Sequence, residues 1–192
     1  MSEPEPSPAV RRLFEELEAE FEASLRREAE QEAVAALRAQ AAETLLWEAL
    51  ARRVGTEVVV RTGSRLYRGT LLASYPDFFV IRGSSRAQHL VRLGPAVSVS
   101  LPTDQERLKP LVPAPRYRFV LALRELARRR EPVRLELADG NVVGGTIELV
   151  GNDHLELAEH DLGEARRASA VTGRRLLALA AVAVVSLLPD YC

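Results

Sequence analysis

Hydrophobic positions along this chain change their period. In the first fifty residues they recur at intervals of three and four. Val10, Phe14, Leu17, Phe21 and Leu25 form one stripe, and Val34, Leu37, Ala41 and Leu45 resume it. That spacing predicts an amphipathic helical arm over residues 1–42. Ser7 can cap it and Pro8 suits its first turn, and neither Gly nor Pro interrupts the run from there to Arg53. Residues 26–32 are nearly all charged, so the arm is one long helix or two with a bend. Gly55 stands where a helix C-cap belongs. Beyond Thr56 the apolar residues alternate instead, at Val58 and Val60 and again at Val133, Leu135 and Leu137, as half-buried strands do. Residues 102–115 hold prolines and mixed charges and read as a linker. Residues 116–130 predict a short helix with Phe119, Val120, Leu123 and Leu126 on one side, stopped by Pro132.

The two strand-rich stretches repeat one another. The first reads Val58-Val59-Val60-Arg61-Thr62-Gly63, then Gly69-Thr70-Leu71, then Asp77-Phe78-Phe79-Val80-Ile81. The second reads Leu135-Glu136-Leu137-Ala138-Asp139-Gly140, then Gly145-Thr146-Ile147, then Asp153-His154-Leu155-Glu156-Leu157, offset by about 76 residues. Each follows a helical segment and ends in a Leu/Val-rich run, 90–101 and 176–187. The second copy is longer by roughly ten residues within 158–173, an insert expected to be an exposed loop. Gly63 and Gly140 suit turns needing positive φ, Gly69 and Gly145 suit sharply bent strands, and Asp77 and Asp153 suit turns closed by side-chain hydrogen bonds. Of Phe78 and Phe79, one is expected in the core and the other under the neighbouring helix. The expected organisation is an arm at 1–42, a first unit at 43–101, the linker at 102–115 and a second unit at 116–192.

A helix, a strand ending in Gly, a Gly-Thr-hydrophobic triplet and an Asp eight residues after its Gly resemble the first motif of the Sm-like superfamily, which includes LSm proteins and Hfq. The whole chain also resembles a family of tandem proteins from high-G+C, actinobacterial bacteria, some described as Fis-type transcriptional regulators. No helix-turn-helix is evident here to support that description. The resemblance implies an α+β fold: a long N-terminal helical arm followed by two small, bent, five-stranded Sm-like or SH3-like β-barrels, each preceded by a helix. Sm proteins that bind uridine-rich RNA carry an Asn four residues after the motif Asp and an Arg-Gly in a second motif. Here Ile81 and Leu157 hold the first of those positions and no Arg-Gly stands in either terminal run, so that base pocket does not carry over.

Composition narrows the picture. The chain has 192 residues, 47% hydrophobic, and a net charge of -1, so no global field draws it to nucleic acid or an anionic membrane. Cys192, the only cysteine, excludes an intrachain disulfide and a cysteine zinc site, and suits a reducing cytoplasm. The start of the chain lacks the basic and apolar runs of a signal peptide, and 176–188 is too short to span a bilayer, reading instead as two adjacent buried strands.

Arginine interleaved with Tyr and His could hold a nucleic-acid backbone. The candidate contacts are Arg65, Tyr67, Arg68, Arg82, Arg86, His89 and Arg92 in the first unit, with Arg166, Arg167, Arg174 and Arg175 around the insert. The alternative is solvated arginine, paired near the insert with Glu159, Asp161 and Glu164. His154 and His160 lack metal-ligand spacing and read as surface residues. No nucleophile can be placed beside a base, and no phosphate loop is present. The expectation is a cytoplasmic, non-enzymatic binding or scaffold protein without catalytic, metal or cofactor sites. RNA or an RNA-processing assembly is the leading partner; a protein-only assembly role and a DNA-associated regulator are the alternatives. An apolar final strand and the stripe of Phe14, Leu17 and Phe21 predict a homo-oligomer, most simply a dimer, unless the arm or the sister unit covers them.

Overall fold

The computed structural model describes residues 20–32, 34–35, 42–63, 65–94, 97–102, 109–110, 117–162 and 171–187. The chain divides into two compact units, residues 1–44 and 45–192. In the first, residues 20–32 are helical, and Phe21 and Leu25 of the predicted stripe are exposed. Phe14 and Leu17 lie outside the described residues.

The second unit contains α1 (Leu46–Ala51), then β1 (Glu57–Thr62), β2 (Arg65–Ser74), β3 (Phe78–Gly83), β4 (Gln88–Arg92) and β5 (Val97–Ser100). After these come α2 (Phe119–Arg129), β6 (Pro132–Leu137), β7 (Val142–Val150), β8 (His154–Glu159), β9 (Gly173–Ala178), a 3-10 turn (Leu179–Ala181) and β10 (Val182–Leu187). The ten strands make a single antiparallel open sheet in the order β5-β1-β2-β3-β4-β10-β6-β7-β8-β9. This overturns the expected architecture of an arm and two separate five-stranded barrels. The strand order within each half is the same, last-first-second-third-fourth, but the halves share one sheet. β10 is the reason. Its residues pair with β6 on one side and β4 on the other, Val185 with Leu135 and with Leu90. The apolar edge thus finds its partner inside the chain. Residues 176–188 are therefore not two adjacent strands: β9 pairs with β8, at the far edge.

The cores interlock accordingly. Alternation sends neighbouring residues to opposite faces. Phe78 and Leu90 join one core with α2 and the second half, whereas Phe79 and Val91 join the other with α1 and the first half. On β10, Val185 enters the first of these cores and Val184 the second. The central strands are covered on both sides, so neither half is closed without the other. Phe78 reaches the helix as expected, with its ring 5.8 Å from that of Phe119.

The repeat itself is visible in the registers. Gly69 faces Gly83 and Gly145 faces Glu159, and the strands slip between Leu71 and Ala73 and again between Ile147 and Leu149. Gly63 and Gly140 both have positive φ. The two Asp turns are closed by backbone: Tyr75 N–H donates to the Phe78 carbonyl at 2.8 Å and Gly151 N–H to that of His154 at 2.9 Å. The Asp77 carboxylate does something else. It accepts from Phe119 N–H at 3.1 and 3.2 Å and caps α2. The Asp153 carboxylate meets His154 Nδ1 at 2.8 Å, a hydrogen bond that holds it below the usual carboxylate range. His160 is buried, not a surface residue: its Nδ1–H donates to the Asp161 carbonyl at 2.9 Å, and Nε2 accepts from the Thr146 hydroxyl at 2.8 Å. No described helix is long and apolar enough to cross a membrane.

Candidate functional site

Charge is unevenly placed. Residues 45–102 hold eight arginines against Glu48, Glu57 and Asp77, a net of +5 in a chain of net charge -1. The sheet sorts these arginines by face. Val59 is paired with Arg68, Arg61 with Leu66, and Thr70 with both Glu57 and Arg82. Directly paired residues share a face, as do residues two apart. Arg61, Arg68 and Arg82 therefore stand together on the outward face of β1, β2 and β3. Ser98, beside Arg61 on β5, adds a hydroxyl to that face, and so does Ser100 beside Val59. All three arginines are exposed and meet no carboxylate among the described residues. Arg86, in the turn between β3 and β4, is likewise exposed with φ 63°.

The opposite face carries a different group. Tyr67 and His89 point there, their ring centroids 4.9 Å apart, at the seam where β4 meets β10. His89 Nδ1 lies 2.8 Å from Ser186 Oγ. Behind them is Glu136, a buried carboxylate on β6. It accepts from the Thr62 hydroxyl at 2.7 Å and from the Tyr67 hydroxyl, and Arg65 Nε lies 3.4 Å away. Burial raises the Tyr67 phenol well above its usual 10, and its bond to Glu136 adds to the shift. Burial also lowers the His89 imidazole, and the Arg134 charge acts in the same direction. A buried carboxylate with three donors is stable only in this constellation. It fastens the β1–β2 end of the first half to the second half.

The sequence-predicted residues are thus distributed. Arg65, Tyr67 and His89 come together in one cleft, whereas Arg68 is on the other face and Arg86 is in its turn. Arg92 donates to the Leu179 carbonyl and lies over the Phe119 ring. Arg174 pairs with Glu156 at 3.2 Å and Arg175 with Glu159 at 2.5 Å. Arg166 and Arg167 lie outside the described residues. Sequence reasoning missed Arg61 as a partner of Arg68 and Arg82, although the alternation of β1 and β2 could have placed it. It also missed Glu136, Ser186 and Arg134, which only the β4–β10–β6 pairing brings to His89. Among the described residues no group of three or more His, Cys, Asp or Glu is placed to hold a metal. The Ser186–His89 pair has no further partner on Nε2 among the described residues, so nothing orients the imidazole as a nucleophile's base would require.

No protein-family model, curated protein or solved structure matches this chain.

Proposed function

We propose that this chain is a non-enzymatic, cytoplasmic binding and scaffold protein that holds RNA by its phosphates on the outward face of β1, β2 and β3. The observation carrying this reading is the unpartnered trio Arg61, Arg68 and Arg82 on one sheet face, in a segment of net charge +5. Guanidinium groups recognise phosphate through a planar fork of donors, and neighbouring hydroxyls at Ser98 and Ser100 add uncharged donors, whereas the Thr70 hydroxyl donates to Glu57 at 2.6 Å. The face offers no aromatic platform for bases, so the reading is of backbone binding with little sequence preference.

The test is fluorescence polarisation of a labelled single-stranded RNA at salt concentrations from 50 to 200 mM, with wild type and the Arg61→Ala, Arg68→Ala, Arg82→Ala triple variant. Each phosphate contact contributes about 0.7 to the salt slope for a single strand, so the variant should lose about 2 from the slope and bind weakly. Equal binding by the two proteins removes this face from the site. No binding by wild type, at the lowest salt, overturns the RNA reading and leaves a protein partner; tighter binding of DNA of the same sequence favours the regulator.

A further inference from the structure

Three polar side chains stand in one row across three adjacent central strands. His89 on β4 is in register with Ser186 on β10, and Ser186 with Arg134 on β6. They share a cleft of about 280 Å³ with Tyr67, Arg65 and Glu136. The charges there are unequal. Glu136 already accepts from Thr62 and Tyr67 and faces Arg65 at 3.4 Å, so its charge is balanced. Arg134 has no carboxylate among the described residues, yet its charge acts on both His89 and Tyr67. A guanidinium without a carboxylate and a buried hydroxyl, paired in register and lining one cleft, are an unmatched donor set. Ser186 is 4% exposed, and its hydroxyl meets only His89 among the described residues. A hydroxyl has one donor and two acceptor positions, so when His89 Nδ1–H donates to Ser186 Oγ, the hydroxyl hydrogen is left to point into the cleft. The cleft lies at the small end of the range of ligand sites, about 300–1,000 Å³.

We propose that the cleft binds a phosphate-sized oxyanion, as free phosphate or as a small phosphate monoester, through the Arg134 guanidinium and the Ser186 hydroxyl, with His89 fixing that hydroxyl from behind. This site is independent of the RNA reading. Tyr67 and His89 alternate with Arg68 and Gln88 along their strands, so the cleft lies on the face opposite Arg61, Arg68 and Arg82. The groups sharing the cleft with His89 are Tyr67 and Arg65 from β2 and Arg134 and Glu136 from β6, with Ser186 from β10; Gly83 of β3 lies against Nε2. An added anion beside Arg134 offsets the repulsion that Arg134 exerts on an imidazolium. The pKa of His89 must therefore rise when the site fills.

The experiment is an NMR titration of the full chain, following the imidazole signals of His89, His154 and His160 between pH 5 and 8. His89 is assigned by its loss in His89→Gln. Inorganic phosphate, sulfate and glycerol phosphate are compared with chloride at constant ionic strength; sulfate does not titrate in this range. The expected result is a saturable shift at His89 with an upward move of its pKa, and no move at His154 or His160. Arg134→Ala should bind about tenfold more weakly or worse, the value of one charge-assisted hydrogen bond. Tighter binding of glycerol phosphate than of inorganic phosphate identifies a monoester as the ligand, and the reverse identifies free phosphate. Arg134 is exposed, and a backbone spectrum of Arg134→Ala that matches wild type shows that its fold is intact. Absence of a saturable shift at tens of millimolar anion, an equal shift with chloride, or undiminished binding by folded Arg134→Ala overturns the proposal. The Arg61, Arg68, Arg82 variant should give the wild-type titration, so the two sites fail or stand separately.

Discussion

Gly69 and Gly145 are the positions where one added methyl group should cost most. Both lie in the longest strands of their halves, and at both the neighbouring backbone comes too close for a side chain. A Cβ on Gly69 would fall 2.7 Å from the carbonyl carbon of Arg82, and nearer still to its oxygen. A Cβ on Gly145 would fall 2.9 Å from the carbonyl carbon of Ala158, again with the oxygen nearer. These are backbone atoms of β3 and β8, so no side-chain rotation relieves the overlap. The strands must separate locally. Losing two ladder hydrogen bonds costs about 2 kcal/mol, and the accompanying overpacking about 1–3 kcal/mol. The lower chain entropy of an unfolded Ala returns about 0.4–1 kcal/mol. Gly69→Ala and Gly145→Ala should each therefore destabilise the fold by about 2–4 kcal/mol, measured by urea unfolding followed by far-UV circular dichroism. At this chain size that lowers Tm by roughly 2–4 °C per kcal/mol. Gly94→Ala and Gly173→Ala are the matched controls. Their Cβ atoms meet nothing within 4 Å, so both should stay within about 0.5 kcal/mol of wild type. If Gly69→Ala and Gly145→Ala unfold at the same urea concentration as these controls, the close approach is not what selects glycine.

Three further outcomes are expected. Glu136→Ala leaves Thr62, Tyr67 and Arg65 without their shared acceptor and should destabilise by about 3 kcal/mol; a loss below about 1 kcal/mol would show that the cluster does not fasten the halves. The raised phenol of Tyr67 means that the folded state resists its ionisation, so the stability it supplies is full below pH 10 and falls as pH rises past it. Tyr67→Phe should flatten that alkaline slope, and equal slopes in the two proteins would refute the assignment. Self-association should run through β5 and β9, the two strands left at the sheet edges, with Leu176 exposed on β9. Light scattering at tens of micromolar should report a dimer or larger species that Leu176→Lys weakens, and a monodisperse wild-type monomer would exclude it.

The parts of this fold that were legible in the sequence are the local ones. Gly63 and Gly140 end strands at positive φ, a demand that acts on one residue at a time. Gly69 and Gly145 each sit one strand away from the residue they would strike, within the same hairpin. Such constraints leave a mark at fixed spacing, so two copies 76 residues apart expose them. Asp77 shows where that logic stops. The expected turn closes through the backbone around it, but the Asp77 carboxylate is used by α2, 42 residues away, whereas the Asp153 carboxylate meets His154. The repeat position predicted the turn and could not predict the cap.

The joining of the two halves was invisible for a related reason. The alternation on β10 marks a strand but does not name its neighbours, and Val182, Val184, Val185 and Leu187 would satisfy any apolar edge. An open edge can be covered in three ways, by a sister unit, by an arm or by a second chain, and all three remove the same apolar area from water. What decides among them is side-chain chemistry that only pairing creates. Ser186 meets His89, and Glu136 meets Thr62 and Tyr67, when β4, β10 and β6 lie side by side; apart, each half would expose a cluster of polar groups without partners. Read alone, Glu136 is one more acid in a strand, and Ser186 an interruption in an apolar run. Both are buried in the folded chain. A polar residue breaking the apolar run of the final strand is the signal that could have placed the seam, because a buried polar group must find its partner somewhere else in the chain.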